Sequence, residues 1–318
     1  MGSSYGRGRL HLAAAIDQRA EGDGETCVEL ARLAERGALD FVTVGDAFAR
    51  PGLDALAVSA RVAPETDRVG LVPVVTAAPT EPCRVRAAVA TLDRVSRGRA
   101  GWWIEAPGTE EEALPVRARH IGSGAVADVE GAGLPAQGAS VVTRSAQGHP
   151  VRVVDVTEEE SRGAAARYAE VALLRVADPA HADAVRTELR DGAARAGRDP
   201  DELRVLVSLR VDLGGGEHAA EPGHGGGGPR RTSDGPLYRG GPVALAELIT
   251  DWHRAGATDG FHLVPVEPRR DLERLVNGTV ALLQHRGLFR TFYPGSTLRE
   301  HLGLTRPAHR HVVTGGTS

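Results

Sequence analysis

The chain has 318 residues, of which 41% are hydrophobic and 25% are charged, so it can bury the core of one large domain or two ordinary ones. Its net charge of -4 argues against a surface for nucleic acid or anionic membranes, and an aromatic content of 4% argues against a platform for stacked bases. The two cysteines, Cys27 and Cys83, form no CxxC pair and no cluster with histidine, so no metal site is predicted. The sequence has no basic leader and no apolar run long enough for a membrane span, which predicts a cytoplasmic protein.

Short apolar runs alternate along the chain with segments of helical periodicity. The strands are predicted over Leu10–Ile16, Asp40–Val44, Val69–Val75, Ala100–Ile104, Val151–Val156, Val171–Val176, Leu203–Leu213 and Gly260–Val266. The helices are predicted over Thr26–Arg36, Leu53–Val62, Pro82–Val95, Ser161–Tyr168, Ala180–Ala196, Val243–Ala255 and Asp271–Arg286. Eight strand signals separated by helices predict an α/β fold in which a parallel sheet closes into a (β/α)8, or TIM, barrel.

Two stretches interrupt this rhythm. The region between strands four and five is predicted to be shortened, because residues 122–148 are rich in Gly, Ala and Ser and leave room only for a short helix near Ala125–Glu130. Residues 214–236 contain GGGEH and GHGGGG, which predict a flexible loop outside the barrel. We therefore expect one barrel domain over residues 1–306 and a loose tail over 307–318.

Two carboxylates follow predicted strands and are candidate catalytic residues. The active site of such a barrel lies at the C-terminal ends of its strands. Asp46 follows strand two, and Glu81 follows strand three directly before Pro82. Either side chain could serve as a general acid or base. The alternatives remain open: Asp46 as a turn or helix N-cap residue, and Glu81 as a partner of the helix dipole.

The start of the helix after strand five is a candidate phosphate site. Thr157 and Ser161 flank this start, where free N–H groups and the helix dipole favour an anion. Glu158, Glu159 and Glu160 lie between them and would repel a phosphate, so a self-capped helix is the competing interpretation.

Two histidines, His11 and His262, lie inside predicted strands. Each is either a core residue with satisfied hydrogen bonds or a side chain that faces the barrel mouth. No histidine pair has metal-ligand spacing, and no GxSxG elbow, P-loop or GxGxxG motif follows a strand. The residues alone therefore predict a barrel without specifying its reaction.

Several segments resemble the luciferase-like flavin monooxygenases, especially the branch that contains the nitrilotriacetate and alkanesulfonate enzymes. These segments are ARLAERGALDFVTVGDAF at 31–48, residues 61–103 with TLDRVSRGRAGW, ITDWHRAGATDGFHLVPV at 249–266 and GLFRTFYPGSTLREHLGL at 287–304. The resemblance is collinear and covers most of the chain outside 105–148 and 214–236.

The resemblance implies a barrel, often dimeric, that binds reduced FMN, or F420 in other branches. A separate flavin reductase usually supplies the reduced flavin, which reacts with O2 so that a small organic substrate is oxidised. The absence of a nicotinamide-binding motif in this sequence agrees with that division of labour.

The resemblance also identifies the flavin-contact positions, which here are Thr76, Trp103, Thr157, Glu158 and Ser161. Trp103 stands where many relatives have Asn, and Glu158 stands where they have serine. These departures leave two alternatives: a degenerate barrel that binds no flavin and acts as a partner or scaffold, or a cofactor-free enzyme that uses Asp46 or Glu81 as its base.

Overall fold

The structure is a computed structural model that describes residues 9–16, 24–45, 54–76, 82–105, 145–214 and 228–307. Its strands are β1 (His11–Ala15), β2 (Phe41–Val44), β3 (Gly70–Thr76), β4 (Gly101–Glu105), β5 (Val151–Asp155), β6 (Val171–Leu174), β7 (Arg204–Asp212), β8 (Arg230–Thr232), β9 (Gly235–Arg239) and β10 (Gly260–Pro265). Strands β1 to β7 pair in sequence order, and β10 pairs with both β7 and β1. These pairings are all parallel, so eight strands close into a barrel, as predicted.

Helices surround the barrel at the predicted places, apart from the short last helix, which was not predicted and does not lie in the outer ring. They are α1 (Gly24–Arg36), α2 (Ala55–Val62), α3 (Pro82–Val95), α4 (Glu159–Tyr168), α5 (Pro179–Arg195), α6 (Pro242–Ala255), α7 (Pro268–Arg274), α8 (Ala281–His285) and α9 (Leu298–His301). Side-chain caps begin α2 and α5, where Asp54 and Asp178 accept backbone N–H bonds. Gly256, at a φ of 80°, ends α6 in the left-handed conformation.

The closing helix is not continuous, although its periodicity predicts one helix. A π-helical turn over Leu275–Val280 separates α7 from α8. Its location has a packing reason, because a Cβ on Gly278 would lie 2.5 Å from Cβ of Pro242, the first residue of α6. The Thr279 hydroxyl also donates to the carbonyl of Pro242 over 2.9 Å. Close contact with α6 therefore accompanies the wider turn.

The core has two layers. The outer layer lies between the strands and the helices and includes Trp102, Val207 and Leu209. The inner layer fills the barrel and consists of Ala13, Phe41, Val72, Val151, Val153, Val171, Leu173, Leu206, Leu298, Leu302 and Leu304. The last three of these come from α9 and the residues after it, so the end of the described chain plugs one end of the barrel.

The C-terminal segment fits into this end of the barrel because two strands, β3 and β4, begin with glycine. A Cβ on Gly70 would lie 2.6 Å from Cδ1 of Leu298, and a Cβ on Gly101 would lie 3.3 Å from its Cδ2. Because these glycines begin β3 and β4, the plug closes the N-terminal end of the barrel. The opposite end, where the strands finish, is left for a site.

A short hairpin departs from the predicted loop over 214–236. Residues 215–227 lie outside the described part of the chain, but β8 and β9 form an antiparallel hairpin. Strand β9 pairs in parallel with the end of β7, with Arg210 opposite Leu237 and Asp212 opposite Arg239. The expectation of loop structure is therefore wrong from Arg230 onward, because β7 extends beyond the closed ring and offers its edge there.

None of the helices in the described part of the chain is long and apolar enough to cross a membrane.

Candidate functional site at the barrel mouth

The inner face of β7 carries polar groups toward the mouth. Leu206 belongs to the inner core layer, and Ser208 contacts the interior histidine described below. Because side chains alternate along a strand, Arg210 and Asp212 share this face. The face thus changes from apolar to charged as β7 approaches its C-terminal end.

His262 of β10 lies inside the barrel, in contact with two hydroxyls. Its Nε2 lies 2.9 Å from Oγ1 of Thr43, and its Nδ1 lies 3.0 Å from Oγ of Ser208. Burial lowers the pKa of His262 to about 4. The imidazole is therefore neutral near pH 7 and forms an uncharged polar floor, which agrees with the core interpretation of this histidine.

Trp103 of β4 lies beside His262. The two rings meet edge to face with centroids 6.3 Å apart, and the indole is only partly buried. Its neighbour Trp102 packs in the outer layer, which confirms that the two tryptophans face opposite sides of the strand. Trp103 therefore lies in the barrel interior with part of its surface open toward the mouth.

The start of α4 has a cationic neighbour that the sequence interpretation missed. The Thr157 hydroxyl accepts from the backbone N–H of Arg175 over 3.1 Å and lies 3.4 Å from its Nε. Asp155, the last residue of β5, accepts from the N–H of Thr157 over 2.9 Å and lies 2.7 Å from Arg175 Nη2. A guanidinium, a hydroxyl and a helix start thus converge at the ends of β5 and β6.

The other residues predicted there differ in exposure. Glu158 is the exposed N-cap residue of α4, whose side chain makes no capping bond, and Ser161 is buried. Ser161 therefore does not line the surface in this conformation. The self-capped alternative is not supported for Glu158, because its carboxylate accepts no bond from the first turn of α4.

A second guanidinium lies one strand away. Arg210 Nη1 contacts Oδ2 of Asp234, at the tip of the β8–β9 hairpin, over 3.0 Å. Asp212, two residues further along β7, is engaged separately by Arg239 Nε at 3.0 Å and by Arg270 Nη2 at 2.7 Å. Arg210 and Asp212 therefore make different ion pairs although they share a strand face.

Three predicted site residues cannot be placed from side-chain positions. Asp46 and Glu81 lie outside the described residues. Thr76 ends β3 opposite Glu105 of β4, at the mouth, but its side chain lies outside the described ones. His11 is placed, and it does not face the mouth: it is buried at the N-terminal end of β1, where its Nδ1 lies 3.1 Å from Asp40. No group of three His, Cys, Asp or Glu in the described ranges could hold a metal ion.

The plugged end holds its own buried ion pairs. Burial alone would raise the pKa of Asp40, but Arg290 and His11 outweigh it and lower that pKa to about 2. Arg99 donates to the carbonyls of Ala63, Thr66 and Val69 over 2.8–2.9 Å. Arg290 joins the C-terminal segment to the start of β2, and Arg99 fixes the turn before β3. Both stabilise the barrel and do not belong to the mouth.

Comparison with known proteins agrees with this architecture. The model of the luciferase-like monooxygenase family matches residues 9–114. N-acetyl-S-(2-succino)cysteine monooxygenase of Bacillus subtilis (strain 168) is 24% identical over 89% of this chain and 90% of its own length. Nitrilotriacetate monooxygenase component A of Aminobacter aminovorans is 24% identical over 88% of this chain and 89% of its own length. The first of these alignments runs over 399 residues, more than the 318 of this chain, so that relative contains segments without a counterpart here.

Solved structures share the fold. The EDTA monooxygenase from Chelativorans sp. BNC1 superposes with a TM-score of 0.76 at 19% identity, covering 94% of this chain and 99% of that one. The coenzyme F420 dependent tetrahydromethanopterin reductase from Methanopyrus kandleri gives a TM-score of 0.64 at 15% identity, covering 86% and 99%. The fold is the closed (β/α)8 barrel of these structures. The family model and the two monooxygenase relatives support assignment of this chain to the luciferase-like monooxygenases and support its being an enzyme.

Proposed function

We propose that the protein is a monooxygenase that uses reduced FMN, delivered by a separate flavin reductase, to oxidise a small organic substrate at the barrel mouth. The observation that carries this proposal is the convergence of Arg175 and Thr157 at the start of α4, on the same rim as Trp103. It supports a site with an anion-binding end and an aromatic end, as a flavin mononucleotide requires.

The phosphate end of the cofactor fits the start of α4. Arg175 is half exposed, and the hydroxyl it contacts belongs to Thr157, directly before the N-cap residue. A guanidinium, a hydroxyl and free helix N–H groups are the donors that a phosphate takes. The carboxylate of Glu158 would repel the phosphate of FMN, because both groups are negatively charged. We therefore expect the affinity for FMN to be weak, about micromolar or poorer.

The ring end of the cofactor fits beside Trp103 and His262. When bound, reduced flavin supplies the electrons with which O2 is activated. His262 is buried, neutral and bonded to Thr43 and Ser208, so it places no charge beneath the ring end of the cofactor. We assign proton transfer to Asp46 or Glu81, which follow β2 and β3 in the sequence. Thr76 is assigned to contact the flavin from the end of β3.

A specific observation favours a second candidate. Trp103 is a bulky side chain inside the barrel, at the position where the family resemblance places a flavin contact. An indole there either stacks on the ring or occupies part of its space. In the second case the pocket is narrowed and the barrel has altered or lost its use of flavin, acting as a partner or a cofactor-free enzyme. F420 in place of FMN is the remaining alternative for the cofactor.

Anaerobic titration of the purified protein with reduced FMN tests the proposal. Arg175→Gln should weaken binding, because it removes a positive charge from the proposed phosphate site. Glu158→Ser should tighten binding, because it removes a negative charge from the same site. Arg190→Gln and Asp183→Ser are the matched controls on α5, and they should leave binding unchanged. Equal affinities for all five proteins would place the phosphate elsewhere, and no binding to any of them would contradict flavin use.

A further inference from the structure

The β8–β9 hairpin closes over one sector of the mouth through two neighbouring residues. Asp234 contacts Arg210, and a Cβ on the next residue, Gly235, would lie 3.7 Å from Cδ of Arg175. The hairpin turn therefore lies between the two guanidiniums. Its base is fixed by the pairing of β9 with β7 and by Tyr238, whose hydroxyl donates to the carbonyl of Gly241 over 3.1 Å.

The side chain of Arg210 is largely buried, but not all of its N–H groups form hydrogen bonds. Its side chain is 15% exposed, and its Nε is buried without a hydrogen-bond partner in the described part of the chain. A buried guanidinium N–H that donates to nothing is unfavourable, because water no longer solvates it. The neighbouring carboxylate of Asp212 does not correct this, because Arg239 and Arg270 engage it.

The one described carboxylate on Arg210 is weakly held. The side chain of Asp234 is 59% exposed at the tip of a two-stranded hairpin, and its contact with Arg210 is a single bond through Nη1. An ion pair with one well-solvated member contributes little. A guanidinium can bind a carboxylate through two parallel N–H groups, which Asp234 does not achieve here.

We propose that Arg210 is the receptor for a carboxylate group of the substrate, and that Asp234 occupies it as an internal surrogate until the substrate displaces it. The ligand is then a small organic acid, which enters as the tip of the hairpin moves away from β7. Calling this ligand the substrate rests on the proposed function, whereas the carboxylate site itself does not. Arg210 lies on β7, and Arg175 follows the neighbouring strand β6. The proposed carboxylate site and the proposed phosphate site are therefore adjacent but distinct.

Calorimetric titration without flavin tests this assignment, with succinate as the probe and neutral succinamide as its isosteric control. Wild type should bind succinate and not succinamide. Arg210→Gln should weaken succinate binding by about tenfold or more, as loss of an enclosed charge partner does. Asp234→Asn should tighten it, because the competing carboxylate is gone. Arg190→Gln, whose exposed partner Asp201 lies on the outer surface, should bind like wild type.

Several outcomes overturn the proposal. They are equal succinate binding by wild type and Arg210→Gln, unchanged or weaker binding by Asp234→Asn, and no succinate binding at all. Inorganic phosphate, titrated in parallel, separates the two anion sources: if Arg210→Gln abolishes phosphate binding but spares succinate, Arg210 belongs to the phosphate seat. Succinate binding that persists where reduced FMN fails to bind would contradict the proposed function and leave the carboxylate site standing.

Discussion

Trp103 decides how much room the mouth offers to a ring. Its indole lies in the interior against His262, whereas Trp102 is packed among the helices. We predict that Trp103→Asn opens the pocket and improves flavin binding, at some cost in stability because a partly buried indole is lost. Paired flavin titrations of wild type and variant check this. Tight binding by wild type that disappears in Trp103→Asn would mean instead that the indole stacks on the flavin.

His262 makes the stability of the barrel depend on pH. Its pKa is about 4 in the folded protein and 6.5 in a model peptide, so below 6.5 the unfolded chain takes up a proton that the folded chain excludes. The contribution of neutral His262 to the free energy of unfolding is complete above pH 6.5 and is lost as the pH falls toward 4. The total loss is about 3 kcal/mol.

Two measurements check this prediction. Imidazole resonances followed by NMR should show His262 neutral down to about pH 5, as a pKa near 4 requires. The signal is assigned by its loss in His262→Asn, because burial also lowers the pKa of His301 to about 4. Denaturant unfolding of His262→Asn should depend less on pH across the same window than unfolding of wild type. A titration of His262 near its ordinary value would contradict the buried, hydroxyl-bonded site.

Some site residues were predictable from the sequence and others were missed for a definable reason. Thr157 was identified from its place before a helix. Arg175 and Arg210 lie within predicted strands, whereas the site of such a barrel is expected among the residues that follow the strands. The alternation along LRVLVSLRVDL contained the signal: Leu206, Ser208 and Arg210 share one face, and a charge on that face of a barrel strand must lie near an open end.

At the scale of elements, α9 and the strand starts form a joint that depends on glycine. Gly70 contacts Leu298 so closely that a Cβ would lie 2.6 Å from its side chain. We predict that Gly70→Ala lowers the free energy of unfolding by about 1–3 kcal/mol through overpacking. Gly163→Ala is the matched control, because this glycine lies within α4 and a Cβ there meets nothing within 4 Å. That change should stabilise the protein by about 0.5–1 kcal/mol.

Chemical denaturation of the two variants gives the comparison. Equal stability of Gly70→Ala and wild type would mean that Leu298 shifts without cost and that the plug is loosely packed.

The segments that resemble the family most specifically lie mainly at this joint. Asp93 and Arg99 of TLDRVSRGRAGW bond the turns before β3 and β4, and Arg290 and Arg299 of the closing segment bond Asp40 and Glu170. Burial would raise the pKa of Glu170, but Arg152 and Arg299 outweigh it and hold the pKa well below its usual range. These residues specify a closed barrel. They explain why the sequence predicted the fold more fully than the site, whose residues depart from the family.

The same contrast holds for the hairpin. Its sequence, RRTSDGPLYR, follows a glycine-rich run and has few apolar residues, so it predicted a loop. Pairing with the exposed end of β7 is a tertiary effect, which local propensity does not report.

At the scale of the molecule, α2 and α3 present a surface of small residues. Ala57, Ala60 and Ala87 are exposed on these helices, and Val95 is 51% exposed at the end of α3. We predict a homodimer that buries this surface, since small side chains allow helices to approach closely. Ala87→Glu should then give a monomer in sedimentation at micromolar concentration, while Ala180→Glu, on the exposed start of α5, should not. A wild-type protein that sediments as a monomer would contradict the prediction.

The position of FMN in a crystal structure of the protein tests the account most directly. We predict that the phosphate lies beside Arg175 and Thr157 at the start of α4, and that the ring lies beside residue 103, in wild type or in Trp103→Asn. FMN bound at another place, or crystals of both proteins that take up no FMN at saturating concentration, would contradict it.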